Sequence, residues 1–254
     1  MRVFQLEGVE EALKGCLCIH GFTGEPWEVE PIAESLRKQK DWLVYAPTLP
    51  GHGPDGDLRT VTYQHWLYMV EVAAEELIKR CEEVYVIGFS MGGLLACYIA
   101  AKYEIKKLVL LSAAAYYLNP PMLFESVKAT LHTQLTGVSE PDQLVDLYRH
   151  KMTNTPMSAV VQFMTAVKKI RPYIRHVQTP VLIIQGERDA LVPRRSSEYL
   201  FRTIGAEEKY IHYLKDGRHM ICHGFEKDQL MRHIHEFLIE KKDRRDEQNE
   251  ISST

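Results

Sequence analysis

A serine enclosed by glycines is the first candidate for chemistry in this sequence. It is Ser90, in the pattern GFSMG. The segment VYVI before it is β-branched and aromatic, which is typical of a strand buried on both faces, and the segment LLACYIAA after it fits a helix. In a sharp turn between a strand and a helix, the serine of a G-x-S-x-G pattern presents its hydroxyl as a nucleophile. The pattern and its surroundings therefore predict that Ser90 is catalytic.

The glycines on either side of Ser90 have a steric explanation. In a tight and strained turn, side chains two residues before and after the serine would collide with the helix and the strand. Gly88 and Gly92 remove those collisions, and Gly93 lets the helix approach closely. The same run is not a phosphate-binding loop, because no Lys-Ser or Lys-Thr pair follows it.

A serine hydroxyl needs a base to become a nucleophile, and the base needs a carboxylate to orient it. After a nucleophile turn of this kind, the expected chain order is Ser, then Asp or Glu, then His, each following a strand. Asp189 lies in the loop GERDALVP, after the strand-like segment VLIIQ, and His219 lies in the loop KDGRHM, after YIHYL. Glu187 is a competing acid in the same loop as Asp189. We favour Asp189 because it lies deeper in that loop.

His223 is the main rival of His219 for the role of the base. The two histidines are four residues apart, a spacing that can also hold a metal ion. The segment HMICH lacks the glutamate of an HExxH motif, however, and no third ligand has a suitable spacing, so we expect no metal site. His20 and His52 precede Ser90 and therefore have the wrong order along the chain.

Nucleophilic attack also requires an oxyanion hole, formed by two backbone N–H groups. Met91 follows the nucleophile at the start of the predicted helix, where the helix dipole also favours negative charge. Phe22, in the loop HGFTG after an early strand, is the best placed second donor. The alternative interpretation of HGFTG is a glycine loop without a catalytic function.

Strand-like and helix-like segments alternate along the chain, which favours a mostly parallel central sheet flanked by helices. Strands are predicted in GCLCIHGF, WLVYAPTL, VYVI, KKLVLLSAA, VLIIQ and YIHYL, and helices in PWEVEPIAESLRK, YQHWLYMVEVAAEELIKRC and a closing segment with Leu230, Ile234, Phe237 and Leu238. Residues 116–178 show helical periodicity without a strand, and we interpret them as a small helical cap inserted before the last two strands. Residues 1–115 and 179–254 then form the core.

Composition excludes several classes of function. The chain has 254 residues, a formal net charge of −3 and 26% charged residues, so it has no basic excess that would attract nucleic acid. The uncharged run between Glu83 and Lys102 just reaches the length of a membrane span, but its three glycines and its strand-like first half argue against one. The N-terminus lacks an apolar signal segment and the five cysteines include no CxxC pair, so we expect buried free thiols and a cytoplasmic protein.

Together, the segments HGFTG, LPGHG, GFSMGG, GERDALVP and DGRHM resemble the α/β-hydrolase family, and within it the small bacterial carboxylesterase and monoacylglycerol lipase group. The similarity extends over nearly the whole chain. It implies a triad of Ser90, Asp189 and His219, an oxyanion hole of Phe22 and Met91, hydrolysis of short- to medium-chain carboxylic esters, and no cofactor. Arg218 departs from the group, which often has glycine directly before the catalytic histidine.

The leading hypothesis is therefore a serine carboxylesterase acting on a small-molecule ester through an acyl-enzyme. Aromatic and aliphatic residues of the predicted cap are candidates for lining a substrate pocket, although they could equally only seal the cap onto the core: Tyr116, Tyr117, Phe124 and Met164. Two alternatives remain open. The same triad could act on a thioester or a carbon–carbon bond, or the fold could bind a ligand with little turnover. The sequence does not predict the oligomeric state.

Overall fold

The computed structural model of the protein describes residues 12–115 and 155–239. These residues form a six-stranded sheet with helices on both faces. The strands are β1 (Ala12–Ile19), β2 (Trp42–Tyr45), β3 (Cys81–Phe89), β4 (Lys107–Leu111), β5 (Val181–Gly186) and β6 (Lys209–Leu214). Their order across the sheet is β2-β1-β3-β4-β5-β6, and every neighbouring pair is parallel. The predicted α/β-hydrolase fold with a parallel sheet is thereby confirmed.

The helices pack against this sheet in two layers. They are α1 (Glu30–Arg37), α2 (Tyr63–Arg80), α3 (Met91–Lys102), α4 (Met157–Ile174), α5 (Arg194–Thr203) and α6 (Lys227–Leu238). Short 3₁₀ turns occupy Pro26–Glu28 and Ile221–His223. All the strands expected from the sequence are present, whereas α5 was not expected.

The first predicted helix is divided in two. Pro26 opens the 3₁₀ turn, and Pro31 stands in the first turn of α1, where its missing N–H costs nothing. Val29 joins the two pieces and caps both. Glu28 is the last residue of the 3₁₀ turn, and it is fully buried.

Alternate residues of the central strands face two separate hydrophobic layers. Leu17 and Ile19 of β1 join the layer beneath α2, α3 and α4, whereas Cys16 and Cys18 join the layer beneath α1 and α6. This period of two is what a strand buried on both faces requires. All five cysteines are free, and all but Cys81 are buried, as expected from their apolar surroundings.

The helix α4 falls within the segment predicted as a cap, and it packs directly onto the core. Its inward residues Phe163, Ala166 and Ile170 belong to the same hydrophobic layer as α3. Residues 116–154 lie outside the described part of the chain, so the boundaries of a cap domain at 116 and 178 stay a prediction. Within the described ranges, no helix has both the length and the apolar character to cross a membrane.

Candidate active site

The backbone at Ser90 makes a sharp turn between β3 and α3. Its φ of 54° and ψ of −117° lie in a region of backbone conformation where residues other than glycine are rarely found. Three backbone hydrogen bonds hold it there. The Ser90 N–H donates to the Leu111 carbonyl at 2.9 Å, and the Ser90 carbonyl accepts from the N–H groups of Gly93 and Ala114, each at 3.0 Å. The turn thus sets the Ser90 side chain at the carboxyl edge of the sheet.

The glycines beside Ser90 lie where no side chain fits. A Cβ on Gly88 would be 2.3 Å from the Gly92 carbonyl oxygen, and a Cβ on Gly92 would be 2.2 Å from the Ile19 carbonyl oxygen at the end of β1. Both contacts are to backbone atoms, which cannot rotate away as the end of a side chain can. The steric explanation expected for Gly88 and Gly92 is confirmed.

The structure brings Ser90, Asp189 and His219 together, although they follow three different strands. Nε2 of His219 lies 3.2 Å from the Ser90 hydroxyl oxygen, and Nδ1 of His219 lies 2.9 Å from Oδ2 of Asp189. With the Nδ1–H donating to the carboxylate, Nε2 is left as an acceptor for the serine proton. This arrangement can take a proton from Ser90 and stabilise the imidazolium that results.

The loops that carry the acid and the base are fastened to each other. The Arg188 N–H donates to the Gly217 carbonyl at 2.9 Å, and the Glu187 N–H donates to the Leu214 carbonyl at 2.9 Å. A Cβ on Gly186 would be 2.3 Å from the Gly217 oxygen, so the two chains pass in close contact. The distance between Asp189 and His219 is therefore fixed by backbone packing as well as by their own hydrogen bond.

The Asp189 carboxylate is buried and accepts four hydrogen bonds. Its Oδ1 accepts from the backbone N–H groups of Leu191 and Val192 at 2.9 and 2.8 Å, and its Oδ2 accepts from His219 and from Nε2 of Gln185 at 2.9 Å each. Burial by itself raises the pKa of Asp189, but the charge and hydrogen bond of His219 and the two backbone donors lower it below its ordinary value. Asp189 thus remains an anion beside the imidazole.

The pKa of His219 is raised above its ordinary value. Burial works in the opposite direction, because it disfavours the imidazolium, but the adjacent Asp189 carboxylate outweighs it, and Glu28 adds a smaller contribution of the same sign. The ring also lies beside Phe89, with centroids 5.0 Å apart. The surroundings of His219 thus favour the imidazolium, which is the form that this residue takes when it accepts the proton of Ser90.

Glu187 and His223, the alternatives to Asp189 and His219, form contacts outside the triad. The side chain of Glu187 is exposed and pairs with Arg194 at 3.4 Å. His223 donates from Nε2 to the Trp27 carbonyl at 2.9 Å, and its ring packs against the Trp27 ring. Arg218 is exposed, and its presence leaves the contacts of His219 with Ser90 and Asp189 intact.

The loop after β1 lies against the nucleophile. A Cβ on Gly21 would be 3.1 Å from the Ser90 Cβ, so the backbone of this loop passes beside the serine side chain. Within the described residues, neither the Phe22 N–H nor the Met91 N–H donates to a protein acceptor. Met91 directly follows Ser90, and the loop that contains Phe22 passes beside the Ser90 side chain. The assignment of these two N–H groups to an oxyanion hole stays a prediction.

Aromatic and imidazole rings support this loop from the other side. The Phe22 ring stacks on Phe163 of α4 with centroids 5.1 Å apart, and it makes edge contacts with His52 and Trp66. His20 donates from Nδ1 to the Gly21 carbonyl at 2.8 Å, and its Nε2 accepts from the Leu49 N–H at 3.0 Å. Burial lowers the pKa of His52 to about 4, so this ring is neutral at physiological pH.

Only one of the four residues predicted to line a substrate pocket lies in the part of the chain that the structure describes. Tyr116, Tyr117 and Phe124 lie outside the described residues. Met164 lines an open cavity of about 760 Å³ between α4 and α5, together with residues such as Val161 and Tyr199. None of the triad residues lines this cavity, and a place for Met164 in the substrate pocket stays a prediction.

Two residues of the site were missed in the sequence. Gln185 ends the apolar strand β5 with a buried amide that donates to Asp189 and to the Val192 carbonyl. A lone polar residue in a buried strand was the available signal. Glu28 is fully buried behind the loop after β1 and had no local signal, because an acid in the first turn of a helix usually faces solvent.

In the described ranges, no cluster of three potential metal ligands is found.

The sequence and the fold are similar to those of known hydrolases. A family model described as Hydrolase_4, serine aminopeptidase S33, matches residues 10–228. A thermostable monoacylglycerol lipase of Bacillus sp. (strain H-257) is 27% identical over 228 residues, which cover 88% of this chain and 90% of that protein. A carboxylesterase of Bacillus subtilis (strain 168) is 23% identical over 229 residues, covering 89% and 92%. A solved structure of the metagenome-derived lipolytic enzymes LipS and LipT has a TM-score of 0.72 at 22% identity, covering 89% and 94%.

The contact between Gly92 and β1 predicts a large effect of one methyl group. We expect Gly92→Ala to lower the free energy of unfolding by about 3 kcal/mol, the upper end of the usual cost of an added methyl group, because the new Cβ must displace the end of β1. Urea unfolding would measure it. Gly224→Ala is the matched control, since the nearest atom to its Cβ would be 3.8 Å away. Equal unfolding midpoints for the two variants would contradict the steric argument.

The surroundings of His219 predict how its ring titrates. In the wild type, we expect NMR titration to give His219 a pKa above its ordinary value of about 6.5. In Asp189→Asn the carboxylate that favours the imidazolium is lost while burial remains, so the pKa should fall below that value. Asp216→Asn is the control, because Asp216 is exposed and pairs with Arg188. A titration unchanged by Asp189→Asn would refute the electrostatic interpretation.

Proposed function

The chain belongs to the Hydrolase_4 family of α/β-hydrolases (serine aminopeptidase, S33) and is a carboxylic ester hydrolase, and we propose that it is a serine carboxylesterase working through Ser90, His219 and Asp189. The observation that carries the proposal is the continuous chain of contacts from Ser90 through His219 to Asp189, with separations of 3.2 and 2.9 Å. Such a chain at a strained turn between strand and helix is what acyl transfer to serine requires.

In the first half of the reaction, the Ser90 hydroxyl attacks the ester carbonyl carbon. Its proton passes to Nε2 of His219 as the new C–O bond forms, and Asp189 holds the imidazolium through Nδ1. The carbonyl oxygen becomes an oxyanion, which the N–H groups of Phe22 and Met91 would bind. Met91 is the first residue of α3, so the positive end of the helix dipole adds to this stabilisation.

The tetrahedral intermediate then collapses. The bond to the alcohol oxygen breaks, and the alcohol leaves with the proton that His219 held, so that an acyl group remains on Ser90. In the second half, His219 takes a proton from water and the hydroxide attacks the acyl carbon. The acid is released, and the proton returns to Ser90. Proton transfer to a neutral His219 is needed in both halves, so the rate should fall as His219 becomes protonated at low pH.

The relatives and the residues around the site support a substrate class. The similar proteins include a monoacylglycerol lipase and a carboxylesterase, which supports a small ester with an acyl chain of short to medium length, monoacylglycerols included. The ring of Phe22, in the loop HGFTG, stacks on the ring of Phe163 of α4. The two rings give this part of the site an apolar surface suited to an acyl chain. No metal or organic cofactor enters the proposed reaction.

Turnover of a graded ester series tests this proposal. We expect p-nitrophenyl acetate, butyrate and octanoate to be hydrolysed, with the best rate at one chain length and poor turnover of palmitate. Ser90→Ala should lower kcat by about 10⁴-fold or more, since removal of the nucleophile leaves only the binding and oxyanion contributions.

Ser35→Ala is the matched control for this substitution. Ser35 lies on α1, and its hydroxyl forms a hydrogen bond with His235 of α6 at 2.9 Å rather than with the base His219. Its kcat should equal that of the wild type. Equal background rates in the wild type and Ser90→Ala would refute the esterase proposal, and faster turnover of acyl thioesters than of matched oxygen esters would reassign the substrate.

A further inference from the structure

A second buried carboxylate stands behind the active site. Glu28, in the 3₁₀ turn after the loop HGFTG, is fully buried, and one of its oxygens accepts the Gly21 N–H at 2.8 Å. An ionised carboxylate is costly to bury unless its hydrogen bonds and neighbouring charges compensate. A buried acid at this place is therefore a feature that needs an explanation beyond packing.

The loop that supplies one oxyanion donor is wrapped around this carboxylate. A Cβ on Gly24 would lie 2.1 to 2.2 Å from the carboxylate oxygens of Glu28, so the loop approaches the acid more closely than any residue with a side chain could. The Gly24 N–H closes the loop by donating to the Gly21 carbonyl at 3.2 Å. Phe22 stands inside the turn so formed, and its N–H direction depends on how Gly21 and Gly24 are held.

The carboxylate also lies close to the reacting groups. A Cβ on Gly21 would be 3.2 Å from Oε2 of Glu28 and 3.1 Å from the Ser90 Cβ, so the acid and the nucleophile flank the same backbone atom. The charge of Glu28 raises the pKa of His219, in addition to the larger contribution of Asp189. On its other side, Glu28 adds to the effect of burial in raising the pKa of the Cys222 thiol.

We propose that Glu28 is a positioning residue for ester hydrolysis, which holds the loop HGFTG through the Gly21 N–H and supplies a second negative charge that favours the His219 imidazolium formed when Ser90 attacks the ester. The proposal rests on the proposed function. Among the described residues, Ser90 from the turn after β3 and Asp189 from the loop after β5 bond to His219 directly, and the Phe89 ring packs beside it. Glu28 from the 3₁₀ turn is the further charged group that acts on the imidazole. Asp189 holds the ring by direct contact, whereas Glu28 acts through the loop and through space.

Two substitutions separate these contributions. Glu28→Gln keeps the shape and an acceptor oxygen for the Gly21 N–H but removes the charge, so kcat/KM should titrate at a lower pH than in the wild type, with KM changed less than about 2-fold. Glu28→Ala also removes the acceptor, so kcat should fall by about 10- to 100-fold, which is less than the roughly 100- to 1000-fold cost of losing one oxyanion donor altogether.

The matched control is Glu30→Gln. Glu30 lies two residues along the chain, where it forms a surface ion pair with Arg37, and its substitution removes the same charge. We expect wild-type kcat, KM and pH profile in this variant. All variants are assayed on the p-nitrophenyl ester that the wild type hydrolyses best, across a pH series.

A titration of the His219 ring by NMR, in the wild type and Glu28→Gln, gives a second readout that does not depend on turnover or on the stability of Glu28→Ala. A lower pKa of His219 in Glu28→Gln supports the proposal. A pH profile and a ring titration both unchanged in Glu28→Gln would overturn it, even if kcat fell, because a merely structural residue would behave in that way. If the wild type hydrolysed no ester, the proposed function would fail, while the ring titration would still test the effect of Glu28 on His219.

Discussion

The strained backbone of Ser90 is the constraint on which the rest of the site depends. A non-glycine residue at φ 54° costs on the order of 1–3 kcal/mol, and it persists only where its surroundings leave no alternative. Here the surroundings are β4, whose last residue accepts the Ser90 N–H, and β1, whose last carbonyl lies against Gly92. The nucleophile is therefore held by the two strands adjacent to its own. Its position is a property of the sheet rather than of the loop.

Parallel topology explains why the partners of Ser90 arrive at the same edge. β3, β5 and β6 all run in one direction, so the residues that follow them emerge together, although β4 separates β3 from β5. The sheet alone would place Asp189 and His219 only approximately. Backbone hydrogen bonds between their loops, and the close passage of Gly186 by Gly217, reduce the remaining freedom. Precision in this site comes from main-chain contacts, which no side-chain substitution elsewhere can easily disturb.

The sequence predicted the parts of the site that depend on local pattern and chain order. Ser90 was found because a glycine pattern, a strand and a helix coincide, and Asp189 and His219 because each follows an apolar strand. The break between the 3₁₀ turn Pro26–Glu28 and α1 was missed because three residues are too few to show a periodicity. α5 was missed because its buried residues include Ser196 and Ser197, so no apolar stripe marks its inner face. Glu28 could not have been found in this way. Its carboxylate lies against Gly21 and Gly24, a packing that only the folded loop creates, and its electrostatic effect on His219 arises only in the folded chain.

Two carboxylates around one imidazole bear on how the base operates. A general base must be neutral before attack and charged afterwards, so its surroundings should favour the imidazolium without fixing it at neutral pH. The donors on Asp189, from Gln185 and two backbone N–H groups, keep it an anion and limit its pull on the shared proton. A more distant charge such as that of Glu28 can then strengthen the field at His219 without competing for the Nδ1 proton. The same carboxylate orders the oxyanion loop, so one buried acid would couple the readiness of the base to the geometry of the donors that receive the developing charge.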